Sequence, residues 1–402
     1  MKKDNEILRL VAKTTAGLEN VLADELKELG AQNIEIMTRA VGFEADKKLM
    51  YRTNYRLRTA LQILRHVKSF KAGDEQELYN QVYNIKWQDY LDVDKTFAID
   101  AVVSGGRFTH SQFVVFKAKD AIADHFRNRM GKRPSVDTQN PYLRINLHIS
   151  ADNVNLSFNT SGDSLHKRGY REIVDKAPIN EVLAAGLILL SGWKADCHFV
   201  DSMCGSATIP IEAAMMAMQI PAGYYRKSYG FMNWHDFDPE LWEEVMNEAD
   251  SMICEFDHEI IGSDRSQKAI EIARQNVRKA HLHKDIRIIR KNMEELTPPK
   301  APGILIINPP YGERLEEKDI KALYSSIGDS LKRNFTGYKA WIISSDFHAL
   351  KHIGLKPSKK LTVYNGPLEC RFVCYDIFEG KHKDMRRRES DQSSLTGRKA
   401  HK

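Results

Sequence analysis

Ile304-Leu305-Ile306-Ile307-Asn308-Pro309-Pro310-Tyr311-Gly312-Glu313-Arg314 is the stretch on which the fold turns. Four apolar residues in a row read as a buried strand, and two prolines stop it abruptly. The strand delivers Asn308 to its carboxyl end, where open α/β sheets place their ligands. Each proline fixes φ and lacks a backbone donor. The turn at Pro309 and Pro310 is therefore mostly acceptor: the Asn308 side-chain oxygen and the Pro309 carbonyl. Tyr311 adds a flat aromatic face. Two fixed acceptors beside a stacking ring suit a planar group bearing an exocyclic NH2. A Pro-stiffened surface turn is the plain alternative, and the residues upstream argue against it.

Those residues form two further strand–loop units. His198 to Thr208 reads as a strand ending at Asp201, a small-residue loop (Ser202, Met203, Cys204, Gly205, Ser206, Ala207) and a helix rich in Ala, Met and Ile to Ile220. Such a loop lets a ligand approach the backbone, and the helix N-terminus favours negative charge. It lacks the Gly-Lys-Ser/Thr of a phosphate-binding loop. Asp201 is placed to accept from an ammonium. Glu259 to Asp264 is a second short strand ending in an acid; Asp264 can accept from both hydroxyls of a ribose, or simply cap the helix beginning near Ser266. Arg265 follows it. Ile286 to Ile289 is a third strand, leading to Asn292, an acceptor for an amino group, and Met293, which suits either a ligand face or the core.

Asn308 to Tyr311 resembles the Asn-Pro-Pro-Tyr motif of S-adenosylmethionine-dependent methyltransferases that act on amino groups conjugated to a planar system. The 201–208 loop resembles the same family's Asp-Pro-x-Cys-Gly-Ser-Gly-Thr, with Ser202 for proline and Ala207 for the last glycine; Asn292 stands where relatives usually carry an acid. The resemblance implies catalysis by Asn308, Pro309, Pro310 and Tyr311. It implies S-adenosyl-L-methionine held by Asp201, Ser202, Cys204, Gly205, Ser206, Asp264, Arg265, Asn292, Met293 and Asn308.

Upstream, the chain reads as a separate α+β unit. Leu18, Val21, Leu22, Leu26 and Leu29 recur at helical spacing, with Gly30 as the stop. Ile34 to Phe43 reads as a strand. Tyr51 to Val67 shows helical intervals, its Arg52, Arg56, Arg58 and Arg65 forming a solvated face. Thr96 to Val103 reads as a strand and Phe113 to Met130 as an amphipathic helix. Between these two a polar loop carries Arg107. Leu143 to Ile149 and Val154 to Phe158 alternate as a hairpin. This unit resembles a ferredoxin-like segment followed by a THUMP domain, an RNA-binding module that would grip RNA through phosphate contacts. The connector with His166, Lys167 and Arg168 matches that of bacterial ribosomal RNA guanine-N2 methyltransferases, and Pro178 is expected near the first turn of the next helix. Tyr224, Tyr225 and Arg226 open an aromatic insertion running from Pro221 to Phe256. Its rings either stack RNA bases or pack inward.

The resemblance implies a Rossmann-like α/β class I methyltransferase domain, with a mostly parallel seven-stranded sheet and an antiparallel last strand, plus the N-terminal α+β ferredoxin-like/THUMP domain. Expected boundaries are 1–55 (ferredoxin-like), 56–160 (THUMP), 161–178 (connector), 179–380 (methyltransferase) and 381–402 (basic, disordered tail). The implied reaction is methyl transfer to a guanine N2 of 23S ribosomal RNA. Transfer RNA guanine-N2 and DNA or RNA adenine-N6 are the alternative substrates. A non-catalytic RNA-binding ribosome-assembly protein is the alternative of a different class. Over 402 residues the formal net charge is +6, compatible with nucleic acid. No apolar run is long enough to span a membrane, and the early polar N-terminus argues for the cytoplasm. The five cysteines are scattered and no metal site is expected. Nothing calls for an obligate protein partner.

Overall fold

The computed structural model describes residues 6–171, 179–310 and 317–379. Tyr311, Pro178 and the tail from Lys381 fall outside them, so the expectations placed on those residues lie outside the described structure.

The N-terminal half runs β1 (Leu8–Lys13), α1 (Glu19–Glu28), β2 (Gln32–Met37), β3 (Ala40–Ala45), α2 (Lys47–Arg56), β4 (Gln62–Lys71), α3 (Glu75–Tyr83), β5 (Thr96–Ser104), α4 (Ser111–Met130), β6 (Ser135–Val136), β7 (Leu143–Ser150) and β8 (Asn153–Asn159). Its strands form one sheet in the order β2-β3-β1-β4-β8-β7-β5-β6. The sheet runs without a break from β2 to β6, and β4 joins its two sides by pairing antiparallel with β1 and with β8. The expected β7–β8 hairpin forms, with Leu147 opposite Leu156.

Two expectations are corrected here. Ile34 to Phe43 is a hairpin, not one strand: it turns at Thr38-Arg39, with Arg39 at φ 58°. Tyr51 to Val67 is not one helix. Asp46 caps α2 through the Leu49 N–H at 2.7 Å, the chain turns extended at Leu57, and the remainder enters the sheet as β4.

The second half runs α5 (Glu181–Ser191), β9 (His198–Asp201), α6 (Thr208–Ala217), α7 (Pro239–Asp250), β10 (Ile260–Asp264), α8 (Gln267–Lys279), β11 (Ile286–Arg290), β12 (Gly303–Ile307), α9 (Glu317–Asn334), β13 (Tyr338–Ser344), β14 (Lys359–Asn365) and β15 (Leu368–Asp376). Asn180 caps α5 by accepting from Val182 N at 2.9 Å, and Gly192, at φ 78°, closes it. Among the described residues the strands form a seven-stranded sheet in the order β11-β10-β9-β12-β13-β15-β14. β11, β10, β9, β12 and β13 run parallel; β15 is antiparallel to both its neighbours. Every residue of β12 is buried, as its apolar run requires. Between β9 and β12 the strand order reverses, which opens a crevice at the carboxyl ends of these two strands.

The aromatic insertion packs inward. Tyr229, Phe231, Trp242 and Val245 complete the core of the N-terminal half, with Phe231 stacked on Tyr51 at 4.5 Å and Trp242 edge-on to Tyr55 at 5.5 Å. Among the described residues no helix is long and apolar enough to cross a membrane.

Candidate active site

A cleft of about 650 Å³ lies over the carboxyl ends of β10, β9 and β12. Asp201, Ser202, Cys204, Gly205, Ser206, Asp264, Arg265, Asn292, Met293, Asn308 and Pro310 all line it. Pro309 is buried beside it. The residues expected to hold the cofactor thus line one cavity, with Pro310 among them and Pro309 buried behind.

The loop after β9 is tightly built. Cys204 N donates to Ser263 O at 2.9 Å, and Ala207 N donates to Cys204 O at 2.7 Å. Ala207 sits at φ 65°, a left-handed conformation that disfavours a Cβ. The loop keeps a glycine-like shape despite the alanine. Asp264 locks it from the neighbouring strand: one carboxylate oxygen accepts from Gly205 N at 3.1 Å and the other from Ser266 N at 2.8 Å. The cap of α8 is Ser266, whose hydroxyl accepts from Ala269 N at 3.3 Å, so Asp264 braces the loop and lines the cleft without capping the helix.

Asp201 is 1% exposed and accepts from Met203 N at 3.1 Å. Burial, and to a lesser degree the facing Asp264, push its carboxyl up to about 8, against the Met203 hydrogen bond. Burial thus favours the neutral acid, and a cation seated beside it would favour the carboxylate. Burial, and then Asp201 and Asp264, push the Cys204 thiol up as well, which disfavours the thiolate. Among the described residues the buried Asn308 Oδ1 and Ser202 Oγ have no hydrogen-bond partner. Both residues line the cleft, and a buried polar oxygen without a partner calls for a ligand or a role.

The residues expected to face RNA divide. Arg107, Lys167 and Tyr224 are exposed, Tyr224 by 44%. His166 is half-buried against Ser164 Oγ at 2.8 Å, and burial with the surrounding cations lowers its pKa. The other three are engaged within the protein. Arg168 is buried, its guanidinium bonded to Glu212 Oε1 at 3.4 Å and Leu165 O at 3.0 Å. Arg226 donates to the carbonyls of Ser161, Asp163, Ser164 and Lys167, between 2.8 and 3.1 Å, and so ties the connector to the insertion. The Tyr225 hydroxyl is anchored on Ala280 O. Both terminal nitrogens of Arg226 are thus committed to carbonyls, and its Nε is buried.

The arginines expected on a solvated helix face are also corrected. Arg52 pairs with Glu248 at 2.7 Å and Arg65 with Asp236 at 2.9 Å, both across to the insertion. Arg58 donates to Met215 O and Ile220 O. Missed from sequence were Thr208, Glu294 and Leu323 in the cleft wall, and Arg171, Glu181 and Glu212 behind it. One signal was readable: Glu212 is a lone charge in an otherwise apolar run, which marks a buried partner.

The comparisons with known proteins follow the same division of the chain. Residues 168–373 match the family described as RMKL-like, methyltransferase domain; residues 72–159 match the THUMP domain, and 9–64 the RlmL ferredoxin-like domain. The chain is 37% identical over 389 residues to a protein of Syntrophotalea carbinolica named Ribosomal RNA large subunit methyltransferase K/L, covering 92% of this chain but 54% of that one. It therefore spans about half the length of this relative and of the others with that name. It is 34% identical to a Synechocystis protein named "Putative RNA methyltransferase slr0064", covering 91% of this chain and 96% of that one. Among solved structures, SMU.472 in complex with SAH is 31% identical and superposes with a TM-score of 0.85, over 95% of this chain and all of that one.

Proposed function

The chain belongs to the RMKL-like methyltransferase family, with a class I methyltransferase fold behind ferredoxin-like and THUMP segments, and from that premise we propose that it transfers a methyl group from S-adenosylmethionine to the exocyclic N2 amine of a guanine in 23S ribosomal RNA. The observation that carries this reading is the unpartnered Asn308 Oδ1, set at the end of a buried strand in the same cleft as Asp201 and Asp264. The relatives named for large-subunit ribosomal RNA support the substrate. An RNA of this kind puts the work in the cytoplasm.

The cleft suits the cofactor. A buried acid whose carboxylate a cation would favour fits the α-ammonium of the methionyl part, and Asp201 would take it. The second acid, Asp264, would accept from ribose hydroxyls. Asn292 and Met293 would meet the adenine edge and face, and the backbone of Ser202 to Ser206, with Arg265, would line the rest. When bound, S-adenosylmethionine supplies an electrophilic methyl on a sulfonium.

The remaining work falls to the protein. A guanine N2 lone pair is delocalised into the ring and attacks poorly. Asn308 Oδ1 and the Pro309 carbonyl would accept its two hydrogens and stabilise the positive charge growing on nitrogen. Pro310 keeps the turn stiff. Tyr311, in this reading, stacks the base, which leaves its helix to enter the cleft. Holding the amine in line with the methyl provides much of the remaining acceleration. Arg107, His166, Lys167 and Tyr224 are the expected residues still available for RNA contact.

Asn308→Ala tests the reading. Transfer to 23S RNA should fall by about 100-fold or more, the usual cost of one such group, while S-adenosylhomocysteine binding by calorimetry stays near wild type. An active variant removes Asn308 from the mechanism. Nucleoside mass spectrometry on a deletion strain tests the substrate: loss of N2-methylguanosine from 23S RNA supports it. Loss from transfer RNA, or loss of N6-methyladenosine, replaces it.

A further inference from the structure

α6 begins where the loop of residues 202–206 ends, and three arginines hold it along its length. At its start Arg171 donates to Thr208 Oγ1, which lies 3.3 Å from Ser206 Oγ in the cleft wall. In its middle Glu212 Oε1 accepts from Arg168 Nε at 3.4 Å and from the Tyr170 hydroxyl at 2.9 Å. At its far end Arg58 Nη2 donates to Met215 O at 3.1 Å and Ile220 O at 2.7 Å, where a helix terminus attracts a cation. Arg58 comes from the N-terminal half and Arg168 from the connector, and Arg168 Nη2 donates to the carbonyl of Arg58. The Arg168 and Glu212 side chains are 1% and 0% exposed.

So deep an ion cluster is a poor way to gain stability, because an apolar pair of similar volume would serve at least as well. What it adds is a single geometry. Guanidinium forks match carbonyl and carboxylate acceptors in one orientation, and three of the acceptors here, Thr208 Oγ1, Glu212 Oε1 and Met215 O, belong to the helix that leads out of the loop. The surface ion pairs between the same two halves, Arg52 and Lys48 with Glu248, sit on α7 instead and do not reach α6.

We infer that Arg58, Arg168 and Glu212 are positioning residues for the cofactor site: the N-terminal RNA module fixes α6, and α6 fixes the loop of residues 202–206. The module is thus a structural part of the cofactor site as well as a grip on RNA. This rests on the cofactor reading above, and wild-type binding of S-adenosylhomocysteine tests that reading first; without it both fall.

Calorimetric titration of the full chain with S-adenosylhomocysteine supplies the test, at a temperature where circular dichroism shows each variant folded. Arg58→Ala and Glu212→Gln should each weaken binding about tenfold or more, the scale of one buried partner left unsatisfied. Arg58→Lys, which can still donate to the helix end, should recover part of the loss. In turnover, the cofactor KM should rise in step with the binding loss while kcat changes less. The surface double variant Arg52→Ala with Glu248→Ala should bind like wild type. If Arg58→Ala does not fold, Arg58→Lys and Glu212→Gln carry the same reading. Wild-type affinity in the folded cluster variants, or an equal loss in the surface double variant, overturns the inference.

Discussion

Asp201 makes the cofactor reading measurable at the level of one proton. Its carboxyl is raised to about 8 by burial, whereas an unfolded chain would hold it near its ordinary value of 3.8. Between those two pH values the folded state keeps a proton that the unfolded state releases. Stability from this group is therefore intact below the lower value and is eroded as pH rises through the window. An ammonium seated beside it reverses the preference and drives the proton off. Binding of S-adenosylhomocysteine at pH 7 should release up to about one proton, read from calorimetry in buffers of different ionisation enthalpy, and Asp201→Asn should abolish that release. Binding with no proton release would place the ammonium elsewhere. Asp201, Asp264 and Asn308 were legible in sequence because each closes a short apolar strand, a purely local signal. Arg168 and Arg226 were not: loop cations look alike until their carbonyl partners, some 60 residues away for Arg226, are known.

At the level of elements, α9 is packed against the short 3-10 turn at Ala349–Ile353 with no room to spare. A Cβ on Gly328 would lie 1.9 Å from Ile353 O, a backbone atom that cannot swing aside. Gly328→Ala should cost about 2 kcal/mol or more by denaturant unfolding, the scale of overpacking, despite alanine's better helix propensity. A neutral result would mean that the helix stands further off. Leu323 of the same helix lines the cleft, so S-adenosylhomocysteine binding should weaken too if α9 is displaced. Elements were legible where pattern and pairing agree, as in the β7–β8 hairpin and the buried β12. They were hidden where tertiary pairing overrode local pattern. β4 pairs with β1 on one side and β8 on the other, and a register shift between His66 and Lys68 breaks the alternation that would have marked it as a strand. The β2–β3 turn uses Thr38 and Arg39, neither of the Asn-Gly or Asp-Gly type that announces a hairpin.

Across the whole molecule, the halves are joined by core as well as by a connector. Phe231, Trp242 and Val245 come from the methyltransferase half in sequence, yet they are buried with Tyr51, Tyr55 and Leu57 of the N-terminal half. Leu18 reaches the other way, against α5, where a Cβ on Gly186 would come within 2.5 Å of it. Neither half can unfold without stripping apolar surface from the other, so heat should melt the chain in one calorimetric transition. Two well-separated transitions would mean that the halves are independent bodies. Tyr51 stacks on Phe231 and meets Trp242 edge-on at 5.9 Å, and its hydroxyl accepts from Asp238 N at 3.0 Å. Tyr51→Ala should therefore cost about 3–5 kcal/mol, as large aromatic truncations do. It should also lower the single midpoint without splitting it. The bridging ion pairs are partly exposed, with Arg52 and Glu248 at 29% and 44%, and each contributes about 0–1 kcal/mol, so added salt should move that midpoint little. The contrast separates the two ways of joining the halves: if salt rather than Tyr51→Ala brings the midpoint down, the seam is electrostatic and the shared core is not what holds the two halves together.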